Sequence, residues 1–352
     1  VRKNSDESVR FPSVSIVVAA RNEADIIERA LSSLLHLDYP GVEVILVDDG
    51  STDGTGEIAR AIAAKDPRLA VITGSDLPDG WMGKSWALHQ GVPKAKGEWL
   101  LFTDADCLHD PQSLKVAMRF ALEQQKHFVS LIPAVRLVST SEKFLMPAFL
   151  MVFGTFFPLD TFNRHPEKAM AAGGFILVKR ESYEAVGGHA SIRSSIVDDV
   201  SLAKAVKRCG GAVWTGMTRT LVVTEQYHTF SEVWEGLRKH AFVLMGESLV
   251  SRASFVFRAA MFVLGVLLMV SVPLIGLGIG VFTQNGWVVG LSAVSVSMML
   301  FLGIGSTWLI GIPFGWGLLM PFGLLLYLLI VIHSVVQVLR GKLVWSGRQY
   351  GR

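Results

Sequence analysis

Several absences narrow this sequence before any of its residues are counted as functional. Only two of its 352 residues are cysteine, Cys107 and Cys209. They are too few for a disulfide framework and lack the spacing of a metal or redox motif, so a reducing compartment fits. No G-x-G-x-x-G follows a predicted strand and no G-x-x-x-x-G-K-[ST] occurs, which removes the usual dinucleotide and P-loop phosphate cradles. The formal net charge of +3 is too small to mark a nucleic-acid binder. Most informative is a regional absence: from Ala259 to Leu339 there is no Asp, Glu, Lys or Arg.

At about 20 residues per membrane-spanning helix, that uncharged run holds three or four spans. The breaks "TQNG" at 283–286 and "GIPFG" at 311–315 leave three, over 259–282, 287–310 and 316–339. Arg252 and Arg258 precede the run, and Arg340, Lys342, Arg348 and Arg352 follow it. A central arginine costs about 2.5 to 3.5 kcal/mol to insert, so Arg258 marks a boundary. Both basic flanks favour the cytoplasm, yet three spans put them on opposite sides. A re-entrant segment, a further span or a translocated tail would resolve the conflict. The opening "VRKNSDESVR" is polar and reads as neither signal peptide nor anchor. The spans hold no acidic or basic residue, and His333 is the one ionisable group of the usual kind, which argues against a transport path.

The first 250 residues read as a different class. "VSIVVAA" (14–20), "VEVILVDD" (42–49), "LAVIT" (69–73) and "EWLLFT" (98–103) are apolar, β-branched-rich runs that predict strands. Between them "EADIIERALSSLL", "STDGTGEIARAIAA" and "KSWALHQGVPKA" predict helices. The alternation gives an α/β fold with a mostly parallel sheet covered on both faces. Ligands of such sheets lie beyond the carboxyl ends of the strands. There the sequence gathers Arg21, Asn22 and Glu23 after the first strand, Asp48 and Asp49 at the end of the second, and Asp104 and Asp106 at the end of the fourth. In extended chain, residues i and i+2 share a side, so Asp104 and Asp106 can face one Mg²⁺ or Mn²⁺ ion on a substrate phosphate. An isolated D-x-D is as readily explained by turn and cap formation.

These motifs do not stand alone. "VSIVVAARNE", "VILVDDGSTDGT", "GWMGKSWAL" and "FTDAD", in this order, resemble the family 2 glycosyltransferases, inverting enzymes with the GT-A nucleotide-sugar fold, over about residues 12–245. The resemblance implies that Asp48 or Asp49 contacts the base of a UDP-sugar, that Glu23 and the backbone near Ala20 help seat the nucleoside, and that Lys84 lies close to the nucleotide. It implies Asp104 and Asp106 as the metal motif, with Asp106 the direct ligand. "SIVDDVSLAKAVKRCGG" matches the family's E-D motif, with Asp198 in the Glu position and Asp199, in the Asp position, as the base that deprotonates the acceptor. As a bare sequence feature Asp199 also suits a helix N-cap. "EVWEGLRKHAF" stands where the family has Q-x-x-R-W: Arg238 keeps the Arg, available to neutralise the leaving diphosphate, but Glu235 replaces Gln and Lys239 replaces Trp. That departure argues for transfer of a single sugar, and Trp234 reads as packing.

"FLMPAFLMVFGTFFP" (144–158) is uncharged, short for a span, and reads as an interfacial segment that brings a lipid acceptor to the donor, with a buried core helix as the alternative. "WMGKSWAL", "AAGGFILVKRESYEAVGGH" and the terminal "WSGRQYGR" resemble most the hopanoid-associated and carotenoid glycosyltransferase branch. A polyprenyl phosphate is the alternative acceptor, with Arg164 and Lys168 then near the interface. The expected organisation is a cytoplasm-facing GT-A domain over 1–250, about three transmembrane helices over 251–340 and a basic tail over 341–352, in the cell (inner) membrane.

Overall fold

The strand and helix runs fold as their periodicities require. The computed structural model describes residues 10–156, 158–225, 227, 229–244, 252–340, 343–345 and 348–350. In chain order β1 (Val14–Ala20), α1 (Ile27–Leu35), β2 (Val42–Asp48), α2 (Thr55–Ala63), β3 (Leu69–Thr73), α3 (Gly83–Gly91) and β4 (Trp99–Asp104) alternate strictly. Then come β5 (Cys107–His109), α4 (Ser113–Glu123), β6 (Phe128–Ile132), β7 (Ala134–Val135), α5 (Thr140–Phe156) and α6 (Leu159–Arg164). They are followed by β8 (Ile176–Lys179), α7 (Arg180–Ala185), α8 (Gly188–Ser191), α9 (Asp198–Arg208), β9 (Val213–Met217) and β10 (Val222–Thr224). A seven-stranded sheet has the order β3-β2-β1-β4-β8-β6-β9, parallel except where β8 runs against β4 and β6.

The sheet is buried on both faces, which is why its strands lack polar alternation. Ile16, Val18 and Leu101 point into one core with Leu31 of α1 and Met118 of α4. Val17, Leu100 and Phe102 point into the other, with Leu88 of α3 and Leu202 and Val206 of α9. Because successive residues alternate faces, Asp104 leaves β4 on the α3–α9 side. The strand order doubles back at β1, which lies between β2 and β4, and such a switch point opens a crevice at the strand ends. A small sheet, β5-β10-β7, lies at the end of β4.

The chain divides into two units, the first comprising residues 1–136 and 159–226, the second 137–158 and 227–352. The second unit holds α5, then α10 (Phe230–Leu244), α11 (Arg252–Phe282), α12 (Gly286–Ile310), α13 (Gly315–Leu318) and α14 (Met320–Leu339), and ends in an antiparallel pair, β11 (Leu343–Trp345) and β12 (Arg348–Tyr350). The expected breaks at 283–286 and 311–315 end α11 and α12. Four stretches are long and apolar enough to cross a membrane: Thr140–Arg164, Val256–Phe282, Gly286–Trp308 and Met320–Gln337. Their chemistry suits a bilayer. Ser271, Thr283 and Ser295 each return their hydroxyl proton to a carbonyl one turn back, so these three hydroxyls present no free donor to hydrocarbon. Phe282, Trp287, Trp308 and Phe314, at helix ends, are highly exposed, as in interfacial aromatic belts.

Sheet pairing restricts what α5 can do. β8, which follows α5, pairs with β4 and β6, which precede it. One complete crossing by α5 would separate strands of a single sheet by a bilayer. A membrane-inserted α5 therefore enters and leaves on one side. The N-terminal stretch through Val9, the side chain of Lys239, and Lys342 and Arg352 of the tail lie outside the described residues.

Candidate active site

The parallel register brings the carboxylates together. Ala20 pairs with Asp48 and Ala19 with Asp104, so the ends of β1, β2 and β4 form one rim. Two loops beyond that rim are stapled to each other. Asn22, in the left-handed region at φ 57°, accepts from the Thr52 amide (2.9 Å) and gives its own amide to Ser51 Oγ (3.1 Å). The Glu23 amide donates to Thr55 Oγ1 (2.8 Å) and the Ala24 amide to Asp53 Oδ2 (3.0 Å). Asp48 is buried and accepts from the Ser51 amide (3.0 Å). Gly56 makes room for it, since a Cβ there would collide with Asp48 Oδ2. The Asp49 amide donates to the Ala20 carbonyl (2.9 Å), and the Asp49 carbonyl accepts from Arg21 (2.8 Å). Ala20, Glu23, Asp48 and Asp49 thus lie together along one stretch of the rim.

Lys84 stands at the centre. Its Nζ lies 2.5 Å from Asp104 Oδ1 and 3.9 Å from Asp198 Oδ2, tying the end of β4 to the start of α9. The ammonium is seated against the backbone of Gly173, where a Cβ would collide with Lys84 Nζ and come within 2.9 Å of Asp104 Oδ2. Thr103 holds that backbone in place by donating to the Gly174 carbonyl (2.8 Å). His109 Nε2 lies 2.9 Å from the Thr103 hydroxyl, and burial pushes this imidazole down to about 3, so it stays neutral beneath the site. Asp106 accepts from Thr224 Oγ1 (3.2 Å) and from Cys107 Sγ (3.5 Å).

The cluster is rich in carboxylate and short of counter-charge. Burial, then Asp106 and Asp104, raise Glu23 to about 7. Burial and the neighbouring Asp104 raise Asp106 to about 6. Burial, then Asp198, raise Asp199 to about 7, although Lys84 pulls the other way. Asp198 is also raised, by burial against the opposing pull of Lys84. Burial would lower Lys84, but Asp104, Asp198 and Asp199 outweigh it and hold the ammonium above its ordinary range. Asp199 keeps its carboxylate at the first turn of α9, where Oδ1 accepts from the Val200 amide (2.7 Å).

The donor set fits a hard cation. Ligand atoms of Asp104, Asp106 and Cys107 lie within 4.8 Å of one another. Burial and the two aspartates push the Cys107 thiol well up, so in the metal-free protein it is protonated, and sulfur is a poor donor to a hard cation. That leaves two oxygen donors, the set Mg²⁺ or Mn²⁺ takes alongside substrate phosphate, and the raised Asp106 marks a site whose charge a cation would relieve.

Arg238 belongs to the second unit. It is buried and forked onto Glu235 Oε2 at 3.0 and 2.6 Å, while its carbonyl accepts from Ser334 Oγ (3.0 Å). The Glu that replaces the family's Gln is thus this arginine's partner. Trp234 packs as expected, donating Nε1 to His333 Nδ1 (2.9 Å). Two residues at the site went unread in the sequence. Gly173 was inside a quoted run, but only the fold shows why it lacks a side chain. Thr224, more than a hundred positions from Asp106, carried no local signal.

Residues 15–187 match the model of the family described as "Glycosyl transferase family 2". Similar curated proteins are named 4,4'-diaponeurosporenoate glycosyltransferase. That of Staphylococcus haemolyticus (strain JCSC1435) is 29% identical over 232 residues, and that of Staphylococcus aureus (strain bovine RF122 / ET3-1) is 29% identical over 240. Each match spans 65% of this chain and 60% of the relative's length. Among solved structures, the mannosyltransferase PcManGT from Pyrobaculum calidifontis, in complex with GDP-Man and Mn²⁺, is similar with a TM-score of 0.55 at 19% identity, over 95% of this chain and 91% of that one. This likeness is one of fold, the GT-A arrangement of a mostly parallel sheet.

Proposed function

From the premise that residues 15–187 form a domain of glycosyl transferase family 2, we propose that this protein is a metal-dependent inverting glycosyltransferase that moves one sugar from a nucleotide-sugar to an apolar membrane lipid. The observation that carries this reading is the Asp104–Lys84–Asp198 bridge. It joins the D-x-D motif at the end of β4 to the acidic pair at the start of α9, so donor and acceptor chemistry share one crevice. Ala20, Glu23, Asp48 and Asp49 take the nucleoside, a uridine on the family resemblance, and Asp104 and Asp106 hold Mg²⁺ or Mn²⁺. When bound, the cation neutralises the diphosphate and makes it a better leaving group.

The rest is work for the chain's own side chains. Lys84 adds a second positive charge beside the phosphates and orients Asp104. Asp199, raised to about 7, takes the proton from the acceptor hydroxyl as its oxygen attacks the anomeric carbon opposite the leaving diphosphate, inverting that centre. Asp198 holds Lys84 and keeps the like charge that tunes Asp199.

A lipid acceptor is supported by three features. The relatives are named for a carotenoid acid, the second unit is built of helices apolar enough for a bilayer, and α5 inserts, if at all, from one side. We assign the catalytic unit to the cytoplasmic face of the cell membrane, where sugar nucleotides are found. The test is turnover by detergent-solubilised full-length protein with Mn²⁺, a panel of UDP- and GDP-sugars and extracted membrane lipid, beside Asp106→Ala and Asp199→Asn. Label should enter lipid with the unmodified protein alone. Nucleotide binding lost in Asp106→Ala, with no donor ever turned over, would replace catalysis by a binding role.

A further inference from the structure

We infer that Thr224 is a positioning residue for Asp106 and that the Arg29–Glu225–Arg136 cluster locks it in place. The inference rests on the reading of Asp106 as a metal ligand. Thr224 is buried, and its hydroxyl donates to Asp106 Oδ2 at 3.2 Å, whereas the bond this carboxylate accepts from Cys107 Sγ is a weak thiol bond at 3.5 Å. The threonine thus fixes which way the carboxylate plane faces. Partners of this kind commonly change metal affinity 10- to 100-fold when removed.

A strand of three residues does not hold a side chain to that tolerance by itself. β10 pairs antiparallel with β5, Thr224 against Cys107, and parallel with β7, Thr224 against Val135. The next residue supplies the lock. Glu225 receives both Nη atoms of Arg29 from α1, each at 3.1 Å, and Arg136 Nη1 from the end of β7 at 2.7 Å. Isolated surface ion pairs contribute little, but this one is a two-arginine network around a carboxylate only 11% exposed. The Arg136 amide also donates to the Thr224 carbonyl at 2.9 Å. Two of the three places where the chain passes between units lie at Arg136 and just after Glu225.

The test measures binding of Mn²⁺ to the full chain in detergent, by loss of the free Mn²⁺ electron paramagnetic resonance signal, with UDP and then GDP present. Thr224→Val should raise the Mn²⁺ Kd 10- to 100-fold, Thr224→Ser should restore it to within threefold, and Glu225→Gln should fall between, with melting temperatures unchanged. If Thr224→Val binds as the unmodified protein does while Asp106→Ala does not bind, the positioning role is refuted and the metal site stands. If Asp106→Ala binds normally, both fail. Equal weakening in Thr224→Val and Thr224→Ser, with a lowered melting temperature, would make Thr224 a folding residue only.

Discussion

Asp199→Asn should slow the enzyme and stabilise the fold at the same time. The substitution keeps shape and removes the charge. Loss of a general base costs 10²- to 10⁴-fold in rate, about 3 to 5 kcal/mol. The stability effect has a definite sign. Burial and Asp198 raise Asp199 from 3.8 to about 7, so between these values the folded chain holds a proton that the unfolded chain has released. Stability therefore falls as pH rises through that window. The whole shift would correspond to about 4 kcal/mol. Asp199 is partly solvent-accessible and shares its field with Asp198 and Lys84, so a gain of about 1 to 2 kcal/mol at pH 8 is the expected size for the asparagine. The assay pairs initial rates of nucleotide release from pH 5.5 to 9 with thermal unfolding at pH 5 and pH 8. The unmodified enzyme should gain activity through about pH 7, and the variant should lose that limb and melt higher only at pH 8. A variant within threefold of normal rate with the same pH limb would refute the base assignment, and a lower melting point at pH 8 would refute the burial argument.

Gly173→Ala should raise the donor KM and lower turnover about tenfold through misplacement of Lys84, with little change in melting temperature. Lys84→Met should abolish most turnover, and comparing its donor KM with that of Gly173→Ala tells loss of the charge from loss of its position. Chelation should stop the reaction and Mn²⁺ restore it. Because Asp106 is raised to about 6 and must be ionised to bind, Mn²⁺ affinity should climb from pH 5.5 to 7, as titration calorimetry would show. Cys209 is exposed and Cys107 buried, so a membrane-impermeant maleimide should label inverted vesicles and spare right-side-out ones.

The sheet was legible because both its faces are buried, which writes β1, β2 and β4 as uninterrupted apolar runs with turn residues after each. The breaks at 283–286 and 311–315 were legible because polar and glycine residues punctuate an otherwise uncharged stretch. The acidic rim followed from the rule that strand ends carry ligands, whereas the register that sets Ala19 opposite Asp104 came only with the fold. Contacts set by tertiary approach were not legible. Nothing around Thr224 announces Asp106, and Lys84 gave no sign that it would bridge two motifs. Glu235 looked like a lost glutamine until its fork with Arg238 supplied the compensation. The 15-residue apolar run at 144–158 fell below span length on composition, whereas the helical chain around it, Thr140–Arg164, does not.

The interleaving of the two units bears on how a water-soluble form of the catalytic half can be made. Cutting the chain after residue 226 removes α10 to α14 but leaves residues 137–158, the apolar excursion between β7 and α6, with the helices it packs on gone. Such a fragment carries its own aggregation signal. A soluble version needs two excisions: the C-terminal helices, and the segment between Arg136 and Leu159 replaced by a short polar linker. The ion pair of Arg136 with Glu225 already marks where that linker should begin.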